Sequence, residues 1–310
     1  MKILFMGTPE FSVDCLKMLT EEGHEVAMVV TQPDKPRGRG HKLQAPPVKE
    51  FALSRHIPVE QPQTLKNEAF LETLRRVDPE LIIVVAYGKI LPPYMIHYPK
   101  YGCINVHASL LPKLRGAAPI QWSIIQGEKE TGITTMRMDD GLDTGDMLLK
   151  FPIPIEPEDT YGTLHDKLKE LGACALRHTL EKLEKGQLQP EKQQDSLSSY
   201  APMIFKEDGR LDWSMDYQRL YDRIRGLTPF PSAYSYLGEK RVKFSEVSLG
   251  EPCKENRAGE VLRYDPKKGL AIAANGGILY VRELQFEKAK RTSVKDCLNG
   301  HKIAPGDRFE

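Results

Sequence analysis

The 310-residue sequence lacks most of the features that commit a chain to a specialised class. Its formal net charge is only +1, so no bulk charge ties it to a polyanion or a membrane surface. Its few cysteines, Cys15, Cys103, Cys174, Cys253 and Cys297, stand in no CxxC or CxH pairing. That argues against a disulfide framework and against a zinc site, and leaves reduced, mostly buried thiols and no metal as the expectation. The opening MKILFMGTPEF has one lysine and a short apolar run that meets a turn at once. It is too brief for a secretory signal or a membrane span, so a cytoplasmic protein is expected. GTPEFS follows the first apolar run where a dinucleotide site would need GxGxxG, so a nicotinamide-type cofactor is not supported. No serine or cysteine lies in a GxSxG-like context, and a covalent enzyme intermediate is therefore not suggested.

What is present is an alternation of short apolar runs with amphipathic segments: KILFM, SVDCLKMLTEEG, EVAMVV, then ELIIVVAY, GCINVH and GITTMRM. Runs that are apolar on both faces, separated by helical patterns, predict an α/β domain, a Rossmann-type doubly wound parallel sheet. Residues 160–186 read as a long amphipathic helix with Thr160 as cap and Gly186 as stop. Beyond it periodicity fades and Gln, Ser and Pro accumulate, as in a linker. DYQRLYDRIRGL then reads as a helix, followed by short strands and a hairpin at NGG. The predicted organisation is a catalytic domain over 1–189, a linker over 190–206 and a small β-barrel, OB-like domain over 207–310.

Divided along the chain, the charge is uneven. Residues 31–49 hold five Lys or Arg against one Asp, and residues 207–310 hold nineteen against sixteen acidic groups. TQPDKPRGRGHKLQAPPVK is too rich in Pro and Gly to predict a regular element, yet it carries Lys35, Arg37, Arg39, Lys42 and Lys49. Following the second strand, it emerges where ligands of such sheets bind, and a cationic loop there suits the terminus of a nucleic acid.

In CINVH, alternation puts Asn105 and His107 side by side on one face at a strand end. Downstream, MRMDDGLDTGD loops through Asp139, Asp140, Asp143 and Asp146. A carboxylate brought from that loop to His107 would fix its tautomer and stabilise its protonated form. Such a trio suits acyl-type transfer to an amine, with Asn105 and His107 as donors to the developing oxyanion and Asp143 handling the amine proton through water. Taken singly, each of these residues is as readily a satisfied buried polar group. Their conjunction carries the reading.

NVHASLLPKLRGAAPIQW followed by ETGITTMRMDDGLDTGDML resembles the core signature of the folate-dependent formyltransferases. The likeness extends through LFMGTPEFSV, TQPDKPRGRGHKL, VVAYGKILP and IRGLTPFPSAY, which together span most of the chain. The resemblance implies that Asn105, His107 and Asp143 are catalytic, and that Ser109, Leu110, Leu111 and Pro112 form part of a tetrahydrofolate site. It implies 10-formyltetrahydrofolate as donor, with Ile90 and Leu91 as candidates for an apolar wall against the pterin, though both read equally well as ordinary core aliphatics. It also implies initiator methionyl-tRNA as acceptor, in translation initiation. Arg39 matches the arginine of an insertion that enters the tRNA acceptor end, with Arg37 and Lys42 beside it. A monomer without membrane contact is expected. The alternatives are a formyltransferase acting on a small amine, a related hydrolase passing the formyl group to water, and a non-catalytic RNA-binding protein of the same fold.

Overall fold

The computed structural model describes residues 1–37, 42–66, 68–253 and 257–310. The apolar runs of the first half become the strands of one sheet. In chain order these are β1 (Lys2–Gly7), α1 (Val13–Glu21), β2 (Glu25–Val30), β3 (Lys35–Arg37), β4 (Lys42–Gln44), α2 (Pro47–Ser54) and β5 (Val59–Glu60). Next come α3 (Glu68–Val77), β6 (Leu81–Val85), α4 (Pro93–Ile96), β7 (Cys103–His107), β8 (Arg115–Gly116) and α5 (Pro119–Ile125). The half closes with β9 (Glu130–Arg137), β10 (Met147–Pro154), α6 (Tyr161–Glu184) and β11 (Tyr200–Ala201). The strand order is β10-β9-β7-β6-β1-β2-β5.

The run β7-β6-β1-β2-β5 is parallel throughout. The central strand of the seven, β6, LIIVV, is buried at every position, as a strand covered on both faces requires. Phe70 and Leu74 of α3 pack on one face against Leu4, Met6, Val30, Ile82 and Val84. On the other face Gly172 of α6 lies over Val106. Thr160 and Thr163 cap α6 reciprocally: the Thr160 hydroxyl accepts from the Thr163 amide at 3.2 Å, and the Thr163 hydroxyl accepts from the Thr160 amide at 2.9 Å.

The sheet is not wholly parallel. β9 runs antiparallel to β7, with His107 opposite Thr134 and Ile104 opposite Arg137. The sequence does not reveal this, because the inner positions of β9 are all buried and such a run reads alike in either direction. A second departure is the basic segment: β3 and β4 form a short antiparallel ladder in which Lys35, Pro36 and Arg37 oppose Gln44, Leu43 and Lys42.

Contacts divide the chain into two compact units, the first comprising Met1–Pro119, Thr131–Ile153 and His165–Pro202. The second comprises Ile120–Glu130, Pro154–Leu164 and Met203–Glu310. It contains α7 (Tyr217–Gly226), β12 (Tyr234–Leu237), β13 (Lys240–Pro252), β14 (Val261–Asp265), β15 (Gly269–Ala274), β16 (Gly277–Phe286), β17 (Thr292–Ser293) and α8 (Val294–Asn299). These strands form an antiparallel sheet ordered β12-β13-β16-β15-β14, with β17 on β16. The predicted hairpin joins β15 to β16 through Asn275 and Gly276, where a φ of +85° suits glycine. The last residues close the sheet into a barrel. The Phe309 amide donates to Gly259 beside β14, while Glu310 and Tyr236 of β12 exchange both backbone bonds. Phe309 is buried against the rings of Trp213 and Phe244. In α7, Asp222 and Arg225 form a buried ion pair at 2.7 Å, and Arg225 also donates to the Asp159 carbonyl.

Candidate active site

The parallel register puts several connections at one edge of the sheet. Met6 pairs with Val30, Gly7 with Val85 and Val84 with Asn105, so the segments after β1, β2, β6 and β7 leave from the same end. Asn105 and His107 occupy the last turns of the pleat in β7, on the face opposite Val106. His107 is almost fully buried, and its Nε2 lies 3.0 Å from the Leu114 carbonyl. A carbonyl only accepts, so this contact places a proton on Nε2 and leaves Nδ1 as the atom turned toward the site.

Asp143 comes from the β9–β10 connection. Since Arg137 lies level with Ile104, the loop must fold back along β7 by three residues, about 10 Å at ~3.3 Å each, to reach His107. It does so at a residue with φ of +54°, a left-handed conformation that Asp tolerates better than most residues. One Asp143 carboxylate oxygen accepts from the Gly116 amide at 2.8 Å and lies 3.8 Å from His107 Nδ1. The other is 3.5 Å from Asn105 Nδ2, at the long limit of a hydrogen bond, so the Asn105 amide is only loosely engaged.

The neighbouring acids of this loop have other tasks. Asp139 accepts from the Gly141 amide and the Thr144 hydroxyl, knitting the loop together. Asp140 is largely exposed and pairs with His97 at 3.3 Å. Asp146 contributes its carbonyl to the Arg137 amide. Of these four, Asp143 is the one turned onto the Asn105–His107 face.

The SLLP turn is held by a group that sequence reasoning missed. The Thr134 hydroxyl accepts from the Leu111 amide at 3.1 Å and donates to the Ser109 carbonyl at 2.7 Å. Ser109 is buried and donates to the Lys113 carbonyl, Leu111 is buried, Leu110 and Pro112 are half-buried, and the Leu111–Pro112 bond is cis. After β6, Leu91 packs into the core with Met95 and Tyr87, whereas Ile90 is 79% exposed at the ligand edge. An exposed apolar side chain at that end of the sheet suits contact with a flat, partly apolar ring. Cys103, also in β7, is not a nucleophile in waiting: burial pushes its thiol up to about 12.

Other contributors had no role assigned from the sequence. Gly116, beside the site, has φ of +115°, and a Cβ there would meet the Tyr200 ring at 2.6 Å. Its pairing strand β11 lies in the stretch that reads as linker. Gln193 and Ser199 of that stretch also bond to site loops, and their polar, aperiodic surroundings gave no sign of it. Thr134 was visible only as a polar residue in a buried strand.

At the basic hairpin, Arg37 and Lys42 are backbone register partners in the ladder, and Arg39 lies outside the described residues. Lys49 differs from its fellow cations. It sits in α2 and donates to both Asp34 oxygens, at 2.9 and 2.8 Å, and to Gln61. Gln61 in turn donates to the Thr31 hydroxyl, the Gln32 carbonyl and Asp34, which pins the base of the hairpin. Among the described residues no helix is long and apolar enough to cross a membrane, and no cluster of His, Cys, Asp or Glu is placed to hold a metal ion.

Comparison with known proteins assigns the class first. Residues 1–180 match the family model "Formyl transferase" and residues 203–302 the model "Formyl transferase, C-terminal domain", so this is a formyl-transferring enzyme. A methionyl-tRNA formyltransferase of Caldanaerobacter subterraneus subsp. tengcongensis is 52% identical over 307 residues, covering 99% of each chain. One from Geotalea uraniireducens is 50% identical over 306 residues, covering 99% of this chain and 97% of its own. The chain belongs to the methionyl-tRNA formyltransferase family. The fold is also similar to that of HypX from Aquifex aeolicus in complex with tetrahydrofolic acid, with a TM-score of 0.66 at 18% identity over 99% of this chain and 50% of that one.

Proposed function

We propose that the protein transfers the formyl group of 10-formyltetrahydrofolate to the α-amino group of methionyl initiator tRNA, with Asn105, His107 and Asp143 as its catalytic groups. The observation that carries this reading is the convergence of those three side chains from two distant segments on one face of the sheet edge. The bound folate supplies an activated formyl carbonyl. Ile90 and the 109–112 turn, with Leu91 behind them in the core, are the groups we assign to hold it.

Asn105 Nδ2, loosely engaged, donates to the formyl oxygen as negative charge gathers there. His107 Nδ1 lies beside the Asp143 carboxylate, so a proton taken up at Nδ1 is stabilised by an ion pair, and Nδ1–H becomes a second donor. Asp143 also assists removal of the amine proton through water; as the amine–carbon bond forms and the tetrahedral intermediate collapses, the bond from the formyl carbon to N10 breaks and that proton passes to N10, which leaves as tetrahydrofolate. Because Nε2–H is held by Leu114, the imidazole keeps one orientation through the cycle. All three groups come from one chain, so a monomer suffices. We assign residues 1–189 to catalysis and 207–310 to tRNA binding, joined by 190–206, with Arg37, Arg39 and Lys42 of the basic segment 31–49 meeting the acceptor end.

The test is formyl transfer from 10-formyltetrahydrofolate to charged initiator methionyl-tRNA, charged elongator tRNA or small amines such as glycinamide ribonucleotide. Transfer to the initiator alone is expected. Product from the small amines but none from the tRNA would refute the assignment of the acceptor. Affinity for the tRNA should fall steeply with salt and with neutralisation of Arg37, Arg39 and Lys42.

A further inference from the structure

We infer that Gln193 is a positioning residue for Asp143, and that residues 193–199 act as a strap fixing the His107–Asp143 pair. The inference rests on the reading of Asp143 as a catalytic group. Across 191–200 every residue is exposed except Gln193 and Ser199. Both of these address the site.

Gln193 uses its whole amide. Nε2 donates one hydrogen to the Asp143 carbonyl and the other to the Gly145 carbonyl, each at 2.8 Å, and Oε1 accepts from Arg115 Nε at 2.9 Å. Arg115 is held again by Asp195 at 2.8 Å. Its neighbour Gly116 donates to the Asp143 carboxylate. The circuit closes on Asp143, with the backbone carbonyl held through Gln193 and the side chain through Gly116. A left-handed residue in a loop is the kind that needs such support, since its backbone gains nothing from a regular ladder.

Ser199 serves the other partner. Its hydroxyl accepts from the Leu114 amide at 2.9 Å, and the Leu114 carbonyl accepts from His107 Nε2. The strap is pinned at its far end where Tyr200 and Ala201 pair with Arg115 and Gly116. Two part-buried side chains six residues apart thus fix the two members of one catalytic pair.

The test is Gln193→Met, which keeps volume and removes all three bonds, assayed by single-turnover formyl transfer with thermal melting alongside. Displacement of a catalytic group by about 1 Å costs up to about 100-fold, so kcat should fall roughly 10- to 100-fold with both KM values within about threefold and the melting midpoint unchanged. The same substitution in an Asp143→Asn background should cost less than about twofold further, because Gln193 acts through Asp143. An unchanged kcat, an equal loss in both backgrounds, or a loss that tracks a lowered melting midpoint would each overturn the inference. Full activity in Asp143→Asn alone would instead overturn the reading of the site. An impaired Asp143→Asn with a normal Gln193→Met would remove only the strap.

Discussion

Asp143→Asn isolates the charge of the carboxylate from its geometry. The amide has the same shape, and its Oδ1 can still accept from Gly116, so the loop keeps its anchor. What is lost is the negative charge 3.8 Å from His107 Nδ1, between side chains only 13% and 6% exposed. At an effective dielectric constant of about 20, that separation corresponds to ~4 kcal/mol of attraction for a fully formed imidazolium. If half of the charge has developed in the transition state, about 2 kcal/mol is lost. The expected fall in kcat therefore lies between roughly 30- and 1000-fold. The assay is single-turnover transfer to methionyl-tRNA with both substrates saturating, so that binding changes do not enter. KM for each substrate should move little, because the interaction strengthens only as the proton arrives. A kcat within about threefold of the unsubstituted protein would refute the argument, since the carboxylate would then contribute shape alone.

Two further outcomes test the supports around the site. Phe309→Ala removes a buried ring from the stack with Trp213 and Phe244 at the seam of the barrel, and should cost about 3–5 kcal/mol in denaturant unfolding of the second unit; a cost below about 1 kcal/mol would mean that the seam is not closed by packing. At the hairpin base, hydrogen bonds from Lys49 and then Gln61 hold the Asp34 carboxyl below the usual carboxylate range. A lowered folded value stabilises above the unfolded pKa and is lost as pH falls through the folded one, so protection of the 31–37 backbone amides from exchange should persist at neutral pH and decline only well below pH ~4. Asp34→Asn should abolish that dependence, and a decline already complete near pH 6 would point to another group.

The fold was legible to the extent that burial wrote it into the sequence. LIIVV and KILFM are apolar on both faces because helices cover both faces, and the same constraint made Asn105 and His107 conspicuous at the end of CINVH. Strand direction left no such trace, because β9 buries its inner positions whichever way it runs. Composition alone does not separate Asp143 from the other three loop acids, and the resemblance is what singled it out; its placement depends on the left-handed backbone at that residue and on the Gly116 amide that meets it. Lys49 looked like its cationic neighbours, yet its charge is spent on Asp34. Gln193 was the least visible of all, since a polar residue in an aperiodic stretch reads as solvated spacer unless its partners are known.

These failures share a physical cause that also explains the design of the site. A strand can fix the direction of a side chain but cannot bring a second segment to it, and β9 leaves the sheet at the wrong level to deliver Asp143 directly. The carboxylate must be carried back on a loop, and a loop of this kind has no ladder to hold it. The holding is done by a few polar groups from elsewhere in the chain: Thr134 for the turn after β7, Gly116 for the carboxylate and Gln193 for the backbone beneath it. These contacts join positions 23, 27 and 50 residues apart. Precision at His107 therefore depends on residues other than the catalytic trio, and substitution of Gln193 should reduce turnover while leaving the fold intact.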